Sequence, residues 1–569
     1  MTEMRHGKWW DRLGKQMETV PLDKIMEGRF TRLFPGVPGA KFEQADLEKL
    51  AEKMTAPQET NITPETAVDA EENQGIDSAY TYLGQFVDHD LTLDTTSHLR
   101  EFLTEEQLKA LVDFRTPRFD LDNVYGRGPD EEPFMYDEDG LRLLLGDPMS
   151  GNPFDTKARQ LPRSPNGRAL IGDPRNDENR IVAQLHTTML RFHNAMADKL
   201  LHDKPGTTFA EIRNQVRWHY QWVLVNDFLP TIINAATVAS VFPDPYHPKF
   251  KIRKIQHQGN LELMPVEFSV AAYRFGHSMI RPQYRLNTTI QRRPIFSKHF
   301  EQDAADLGGF RPIPSDWAID WQFFIDIGDT DQVDGLDDPI TRKVQKAYKI
   351  DTSLVSPLHD LPPAVAVNPS ILAARNLLRG ATFELPSGQA VAHAMGEPVI
   401  PNEKLVIGKA TFDDEKDQVL LSDVAPGFRD NAPLWAYVLS EAQVTSWAHL
   451  PANVDKATKD ATPIRRAGGR PHRGRGVRGP AAGRPHLLPE RRPQLHADPR
   501  AHEGRDVRPG AVDQRGPRSD ALAFRSGQHG GHRFLSPLGT GPVPIRVWGL
   551  KPSLGVNRAH ARAGALTSR

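Results

Sequence analysis

The stretch GQFVDHDLTL, residues 84–93, places polar groups among apolar ones within about three turns of a predicted helix. Gln85, Asp88 and His89 stand at i, i+3 and i+4, so a helix presents them on one face. Asp90 lies about 100° further round the helix. Polar side chains on a partly apolar helix need partners. The pattern therefore suggests a cofactor or metal site, although a capped, solvent-exposed helix end would also fit this stretch alone.

Helical periodicity recurs along the first 460 residues, whereas strand-like alternation is sparse. The helix boundaries follow from apolar spacing and from local signals. These signals are possible N-caps at Asp77 and Ser78, a near capping box at Thr104, a closing glycine at Gly380 and a proline near a helix start at Pro265. The predicted helices cover 42–54, 77–92, 104–114, 178–202, 209–233, 264–280 and 370–386. The expected fold is mainly α, with one large domain over residues 1–460.

Composition excludes several classes of site. The 569 residues include no cysteine, which rules out disulfides, zinc thiolates, iron–sulfur clusters and cysteine nucleophiles. The first 20 residues lack the apolar core of a signal peptide, and no run of 18 apolar residues is present. These features predict a cytoplasmic protein without a membrane span, or one secreted by a signal-peptide-independent route. They do not indicate its oligomeric state.

Residues 461–569 differ from the rest of the chain in net charge and in amino-acid composition. They hold 21 basic and 6 acidic residues, a net charge of +15 against −17 for residues 1–460. Arginine, proline, glycine and histidine dominate, and the helical period disappears. The segment fits a disordered basic tail, an RNA-binding Arg/Gly segment or an out-of-frame translation, and we expect a disordered or frame-shifted tail. The match of 474–479 to G-x-G-x-x-G is an accident, because no βαβ pattern surrounds it.

Three more stretches carry polar groups at helical spacing. GDPRNDE, 172–178, offers Arg175 and Glu178 at a helix start, where capping is the simpler explanation. YRFGHSMI, 273–280, holds Arg274 and His277, and a lone histidine on an apolar face is more often a core residue than a ligand. RNLLRG, 375–380, repeats the i, i+3 spacing with Asn376 and Arg379.

The four motifs, in this order, resemble the animal-type haem peroxidases of the peroxidase–cyclooxygenase superfamily, and its bacterial branch in particular. The resemblance covers residues 30–450 and implies a large helical domain whose C-terminal helices are missing here. It also implies a b-type haem bound through its iron to His277. On the opposite face, His89 would be the distal acid–base histidine, Gln85 its neighbouring glutamine and Arg175 the cation that steadies developing negative charge.

The resemblance assigns the remaining site residues as well. Asn376 would accept a hydrogen bond from His277 through its side-chain oxygen, and Arg274 and Arg379 would lie near the haem propionates. Asp88 and Glu178 match carboxylates that form haem esters in mammalian members, and whether they do so here stays open. Asn179 stands where a sulfonium-forming methionine would be, so that third link should be absent.

A calcium site is implied in the loop TPRFDLDNVYG, 116–126. Its ligands would be Asp90, Thr116, the backbone carbonyl of Arg118, Asp120 and Asp122, an oxygen set that suits Ca²⁺. A solvated Asp-rich turn is the alternative. His186 and His193, seven apart on one predicted helix, are expected to be buried, hydrogen-bonded structural residues.

The implied function is reduction of hydrogen peroxide with oxidation of a halide, pseudohalide or small organic donor, as in a response to oxidative stress. A fatty-acid dioxygenase is the alternative, but the position three residues before His277 holds Arg274 rather than tyrosine, and Tyr273 should point away from the cavity. A non-enzymatic calcium- or RNA-binding protein is the second alternative; nucleic acid is not favoured as a partner. The sequence does not indicate the reducing substrate.

Overall fold

The computed structural model describes residues 28–57, 70–94, 97, 99, 103–241, 263–296, 306–327 and 344–466. Its helices, in chain order, are α1 Gln44–Lys53, α2 Ala79–Leu91, α3 Glu105–Ala110, α4 Asp122–Tyr125, α5 Arg180–Asp203, α6 Phe209–Val223, α7 Leu229–Ile232, α8 Ala235–Val241, α9 Leu372–Thr382, α10 Gly388–Met395, α11 Leu421–Val424, α12 Leu434–Trp447 and α13 Lys456–Ala461. The mainly α fold predicted from the sequence is confirmed.

Short 3₁₀ and π segments connect these helices. The 3₁₀ segments are Pro133–Met135, Pro174–Asp177, Ala272–Met279, Trp321–Phe323, Ser356–Leu358, Asn402–Lys404, Glu415–Asp417 and Pro426–Phe428. Two π turns, Leu224–Phe228 and Glu267–Ala271, precede α7 and the 3₁₀ segment Ala272–Met279 respectively. Such turns re-aim side chains within a helical path and are frequent at functional sites.

The sheets are small, with two or three short strands each. The strands are β1 Gly28–Thr31, β2 Glu72–Asp77, β3 Val112–Asp113, β4 Leu263–Pro265, β5 Gln283–Tyr284, β6 Arg293–Pro294, β7 Lys346–Tyr348, β8 Val406–Ile407 and β9 Val419–Leu420. β1 pairs antiparallel with β3 and parallel with β4, and the pairs β2–β7, β5–β6 and β8–β9 are antiparallel. β2 leads directly into α2, so the β2–β7 pair fixes where that helix begins.

The core surrounds α2, which packs against α5 and against the 3₁₀ segment Ala272–Met279. Tyr82, Phe86 and Val87 on α2 are almost completely buried. The ring of Phe86 meets Tyr220 of α6 edge-on, at 6.1 Å between centroids. Because one side of α2 is anchored in this core, its polar side is held in a fixed orientation.

Three helix predictions need correction. The helix predicted over 264–280 is β4, a π turn and a 3₁₀ segment, and Pro265 ends the strand instead of starting a helix. α9 runs through Gly380 to Thr382, because that glycine keeps a helical backbone and its carbonyl accepts from the Leu385 N–H at 3.0 Å. α3 stops at Ala110 because the chain turns into β3, although the Thr104–Gln107 capping box forms.

The chain stays packed beyond the predicted domain boundary at residue 460. Ile464 is fully buried, and the backbone of Arg466 pairs with Ile232 and Asn234. The remainder of the predicted tail, 467–569, lies outside the described residues, and its assignment stays a prediction. Among the described residues, no helix combines the length and apolarity needed to cross a membrane.

Candidate functional site

A cavity of about 320 Å³ lies among α2, the 3₁₀ segments Pro174–Asp177 and Ala272–Met279, and α9. Side chains from all four sequence motifs border it. The predicted site residues on its wall are Gln85, Asp88, His89, Arg175, Glu178, Arg274, His277 and Arg379. The fold therefore brings together residues that are up to 294 positions apart in the chain.

His89 is buried in the cavity wall with one ring nitrogen engaged. Its Nδ1 lies 2.8 Å from the side-chain oxygen of Asn176. Burial, reinforced by the neighbouring Arg175 guanidinium, lowers the pKa of His89 to about 3. The imidazole is therefore neutral at neutral pH and able to accept a proton.

Arg175 is fixed by backbone carbonyls and by one carboxylate. Its Nη2 donates to the carbonyl of His89 at 3.1 Å and to that of Thr92 at 2.5 Å, and to Asp173 at 2.8 Å. Arg115 donates to the same Asp173 oxygen at 2.7 Å. Burial alone would raise the pKa of Asp173, but these two guanidinium groups outweigh it and hold that pKa well below its usual value. Arg175 is thus a fixed positive charge beside His89.

Gln85 and the two carboxyl groups complete this side of the cavity. The amide oxygen of Gln85 accepts from Asn179 at 2.9 Å, and its nitrogen lies 3.5 Å from Glu178. Burial raises the pKa of Glu178 to about 7 and also raises that of Asp88, with Arg175 opposing both shifts. Both carboxyl groups therefore hold their protons more tightly than exposed acids do.

His277 borders the same cavity and contacts Asn376. The Asn376 amide nitrogen lies 2.8 Å from Nδ1 of His277, and its oxygen accepts from Arg274 at 3.2 Å. The predicted contact is present, but the expectation that the amide oxygen faces His277 is wrong, because the charged guanidinium takes that oxygen. In this orientation the amide nitrogen donates to Nδ1, so the hydrogen of the neutral His277 imidazole lies on Nε2. Burial, then Arg274, lowers the pKa of His277 to about 3.

Three guanidinium groups also line the cavity. Arg274 and Arg379 were predicted there, and Arg379 donates to Asp94 at 2.6 Å. Burial and the adjacent Arg379 lower the pKa of Arg274 to about 10. Arg375, which the sequence reading did not identify, also lines the cavity and donates to the Pro369 carbonyl at 3.1 Å. Arg375 directly precedes Asn376 in the RNLLRG motif, and this position could have identified it as a site residue.

The prediction that Tyr273 points away from the cavity is wrong. Its ring borders the cavity and its hydroxyl donates to the Gly84 carbonyl at 3.1 Å. The prediction assumed α-helical angles, whereas this segment is a 3₁₀ helix. In such a helix residues i and i+3 eclipse, which aligns Arg274 with His277. Tyr273 is held at the cavity by its hydrogen bond to the backbone of α2.

A second cluster lies behind α2. Carboxylate oxygens of Asp90, Asp120 and Asp122 approach within 4.8 Å of one another. Among the described residues, both oxygens of Asp90 and one each of Asp120 and Asp122 are buried without a hydrogen-bond partner. Burial and the mutual proximity of these acids raise the pKa of Asp90. Orphaned, crowded carboxylates fit a divalent cation.

The other predicted calcium ligands lie in the same loop. The Thr116 hydroxyl donates to Asp120 at 2.8 Å, which brings this oxygen to the cluster. The Arg118 N–H donates to the Thr116 carbonyl at 2.7 Å and shapes the turn. The role of the Arg118 carbonyl as a ligand stays a prediction.

The two helix histidines behave as expected. His186 and His193 are both fully buried on α5. His193 contacts the Tyr125 hydroxyl at 3.0 Å and the Leu141 carbonyl at 2.8 Å. His186 accepts from the Asn176 amide at 2.9 Å. Asn176 itself was missed, although it lies inside the GDPRNDE motif.

Comparison with known proteins agrees with this arrangement. Residues 99–313 match the family described as animal haem peroxidase. The resemblance to animal haem peroxidases that the four motifs indicate is therefore supported. The chain is 32% identical over 197 residues to the Homo sapiens protein named "Probable oxidoreductase PXDNL", a match covering 32% of this chain and 13% of that protein. It is 26% identical over 297 residues to the Homo sapiens peroxidasin homolog, covering 49% and 18% respectively.

The matched segments thus span less than a fifth of the lengths of these two relatives. Among solved structures, peroxidase A from Dictyostelium discoideum aligns over 78% of this chain and 86% of that one, with 15% identity and a TM-score of 0.46.

Proposed function

We propose that this chain is an animal-type haem peroxidase, which reduces hydrogen peroxide and oxidises a small halide, pseudohalide or phenolic or other organic donor. The observation that carries the proposal is one cavity bordered by a neutral His89, by a fixed Arg175 and by His277 from a different segment of the chain. These are the groups that cleavage of an O–O bond requires: a base, a cation and an iron ligand.

The cavity fits haem on chemical grounds. Nε2 of His277 would bind iron in the tautomer with hydrogen on Nδ1, and the Asn376 amide would accept that hydrogen once its oxygen faces the ring. The guanidinium groups of Arg274 and Arg379 suit propionate carboxylates. Asp88 and Glu178, whose pKa values burial raises, are the carboxyl groups that could form ester links to a b-type haem. Bound haem would supply the electrons that peroxide reduction consumes.

The chain's own residues manage the proton and the charge. His89 accepts the proton from one peroxide oxygen and returns it to the leaving oxygen, which departs as water. Arg175, held against carbonyls and Asp173, stabilises the negative charge that develops on that oxygen. Gln85, oriented by Asn179, offers a hydrogen bond to a molecule in the cavity.

Calcium is the second proposed cofactor. The orphaned oxygens of Asp90, Asp120 and Asp122, with the Thr116 hydroxyl, form a hard oxygen set suited to Ca²⁺. Asp90 follows His89 directly on α2, so cation binding would hold the end of this helix in place. The cytoplasmic location expected from the sequence stays a prediction.

The first test concerns haem binding. The His277→Ala variant should lose the Soret absorbance that the parent protein shows after haem addition, or release haem readily, because the iron loses its protein ligand. His193→Ala removes a buried histidine outside the cavity and should leave the Soret band unchanged. Equal haem retention in His277→Ala and the parent would refute the assignment.

The second test concerns peroxide. Mixing the haem-loaded parent with peroxide in a stopped-flow spectrometer should change the Soret band rapidly. His89→Ala should slow this change by at least about a hundredfold, the lower end of the scale of acid–base catalysis. A His89→Ala variant that reacts at the parental rate contradicts the proposed role.

Fatty-acid oxygenation is the second candidate, because Tyr273 borders the cavity. Its hydroxyl is engaged by the Gly84 carbonyl, and Arg274 occupies the position three residues before His277. These two features favour peroxidase activity. Oxygenation of a fatty acid by the parent, lost in Tyr273→Phe, would favour the dioxygenase instead.

A further inference from the structure

Asn176 connects two buried histidines through opposite ends of its amide. Its oxygen lies 2.8 Å from Nδ1 of His89, and its nitrogen lies 2.9 Å from Nδ1 of His186. Asn176 and His186 are fully buried, and His89 is 4% exposed. Neither Asn176 nor His186 borders the cavity. The three side chains therefore form a buried chain leading away from the cavity wall.

The donors and acceptors in this chain determine where the protons lie. An amide oxygen only accepts, so Nδ1 of His89 carries the hydrogen and Nε2 is bare. An amide nitrogen only donates, so Nδ1 of His186 is the bare nitrogen of that ring. Nε2 of His186 then carries a hydrogen, and among the described residues it has no hydrogen-bond partner.

The opposite arrangement would have a clear chemical consequence. If the Asn176 amide turned over, its nitrogen would donate to Nδ1 of His89, and the ring hydrogen would move to Nε2. A neutral imidazole with a hydrogen on Nε2 cannot accept a proton through that atom. In the present orientation, the amide nitrogen of Asn176 donates to the bare Nδ1 of His186.

The backbone around the chain is fixed as well. The Asn176 N–H donates to the Asp173 carbonyl at 3.1 Å. The His89 carbonyl accepts from Arg115 at 3.2 Å and from Arg175 at 3.1 Å. The His186 ring meets Phe86 edge-on at 6.0 Å between centroids, which restricts its rotation. Because the two imidazole rings and the Asn176 amide are restricted in position, they can hold His89 in one tautomer.

We propose that Asn176 and His186 are positioning residues that keep His89 in the tautomer with hydrogen on Nδ1 and a bare Nε2. His186 orients the Asn176 amide, and the amide oxygen fixes the hydrogen on Nδ1 of His89. The consequence for catalysis rests on the proposed function, in which His89 accepts a proton from peroxide. The tautomer itself is a property of the protein that can be measured without peroxide.

The experiment reads the tautomer directly at neutral pH. The full-length chain, labelled with ¹⁵N in histidine and prepared without haem, is studied by long-range ¹H–¹⁵N correlation spectroscopy, which distinguishes bare from protonated ring nitrogens. His89→Gln identifies the His89 signals. We expect hydrogen on Nδ1 in the parent, a mixture of both tautomers in Asn176→Leu, and retention of the parental tautomer in Asn176→Asp, since a carboxyl oxygen still accepts.

The role of His186 has its own variant and control. His186→Leu removes the acceptor for the amide nitrogen and should also give a mixture of His89 tautomers. His193→Leu removes a buried histidine one heptad further along α5 whose partners are Tyr125 and Leu141. It should destabilise the fold comparably and leave the His89 tautomer unchanged. If Asn176→Leu or His186→Leu keeps the parental tautomer, the proposal is overturned.

Haem-loaded protein links the tautomer to function. Asn176→Leu should react with peroxide about tenfold to a hundredfold more slowly than the parent, while Asn176→Asp stays close to the parental rate. An altered tautomer with an unaltered rate would overturn the catalytic part of the proposal. A parent that binds haem but does not react with peroxide refutes the proposed function, and the tautomer measurements then decide the positioning role alone.

Discussion

At the scale of single residues, Asp173 joins the parts of the site that carry charge. It accepts from both Arg175 and Arg115 and caps the 3₁₀ turn through the Arg175 N–H at 2.9 Å. Each guanidinium also donates to the His89 carbonyl. One fully buried carboxylate therefore determines the positions of the catalytic cation and of the helix end that bears His89.

Asp173→Asn should lower the free energy of unfolding by about 3–5 kcal/mol, because it removes the carboxylate that pairs with Arg175 and the nearer of the two that pair with Arg115, at 2.7 Å against 3.5 Å for Asp122. Asp139→Asn is the control, since Asp139 pairs with Arg142 near the surface, where such pairs contribute about 0–1 kcal/mol. Urea unfolding measures both variants. Similar losses for the two would show that the Asp173 pairs do not hold the site.

At the scale of elements, α2 separates two functions by helix face. Gln85, Asp88 and His89 border the cavity, while Asp90 joins the carboxylate cluster behind the helix. The 100° turn per residue predicted this separation from the sequence. The 3₁₀ segment that carries His277 was not predicted, because its sequence fits an α-helix equally well. Packing against α2 and α12 decides its geometry.

Calcium should stabilise the parent protein and not Asp90→Asn. After treatment with EDTA, adding Ca²⁺ at a hundredfold excess over its dissociation constant should stabilise the parent by about 2.7 kcal/mol. Asp90→Asn removes a charged, buried ligand and should abolish most of this gain. Asp203→Asn, at the exposed end of α5, is the control and should keep the parental response.

Thermal unfolding with and without Ca²⁺ provides the measurement. Equal Ca²⁺ responses in Asp90→Asn and the parent would exclude the cluster as the binding site. A parent without any response would indicate that the orphaned oxygens hold protons or water instead. Loss of haem retention in Asp90→Asn would further connect the cluster to the adjacent His89.

At the scale of the whole molecule, the sequence predicted which residues meet but not how their hydrogen bonds are arranged. The four motifs and the mainly helical class were readable from spacing and resemblance. The direction of the Asn376 amide, the role of Asn176 and the position of Arg375 depend on long-range packing. Asn176 and His186 are ten residues apart and meet because the chain turns from a 3₁₀ segment into α5. Periodicity within one helix carries no information about such a turn.

The buried Asp351 should make stability depend on pH. It accepts N–H bonds from Ser353 and Ala410, each at 2.8 Å, and burial raises its pKa from 3.8 to about 6. The folded chain therefore holds this proton more tightly than the unfolded chain. Its contribution to stability is fully present below about pH 4 and is lost as the pH rises through 6, a change of roughly 3 kcal/mol.

Asp351→Asn cannot titrate at this position, so it isolates that contribution from all other groups. The free energy of unfolding of the variant minus that of the parent should increase between pH 4 and pH 6 and then level off. Urea unfolding of both proteins at several pH values gives this difference. A difference that stays constant over the range would show that Asp351 ionises in the folded protein as it does in water.

Residues 463–466, the last described part of the chain, are packed against the helical body. Ile464 is fully buried, and its carbonyl accepts from Asn73 of β2 at 2.8 Å. Arg466 pairs through its backbone with Ile232 and Asn234, and its side chain donates to the Ala272 carbonyl at 2.8 Å. These contacts join the end of this segment to β2, α7 and the segment that carries His277.

Two truncated chains test how far the folded body extends. A chain ending at residue 460 should lose about 3–5 kcal/mol of stability, from the burial of Ile464 and the hydrogen bonds around it, and should retain haem poorly. A chain ending at residue 472 should match the full-length protein in both properties. The sequence beyond residue 472 is rich in arginine, proline and glycine, and it lacks the periodic apolar residues whose burial could offset the entropy cost of ordering its backbone. Chemical unfolding and the Soret absorbance compare the three chains. If the chain ending at 472 is as unstable as the one ending at 460, then residues 473–569 contribute to the fold, and their interpretation as a disordered or frame-shifted tail is wrong.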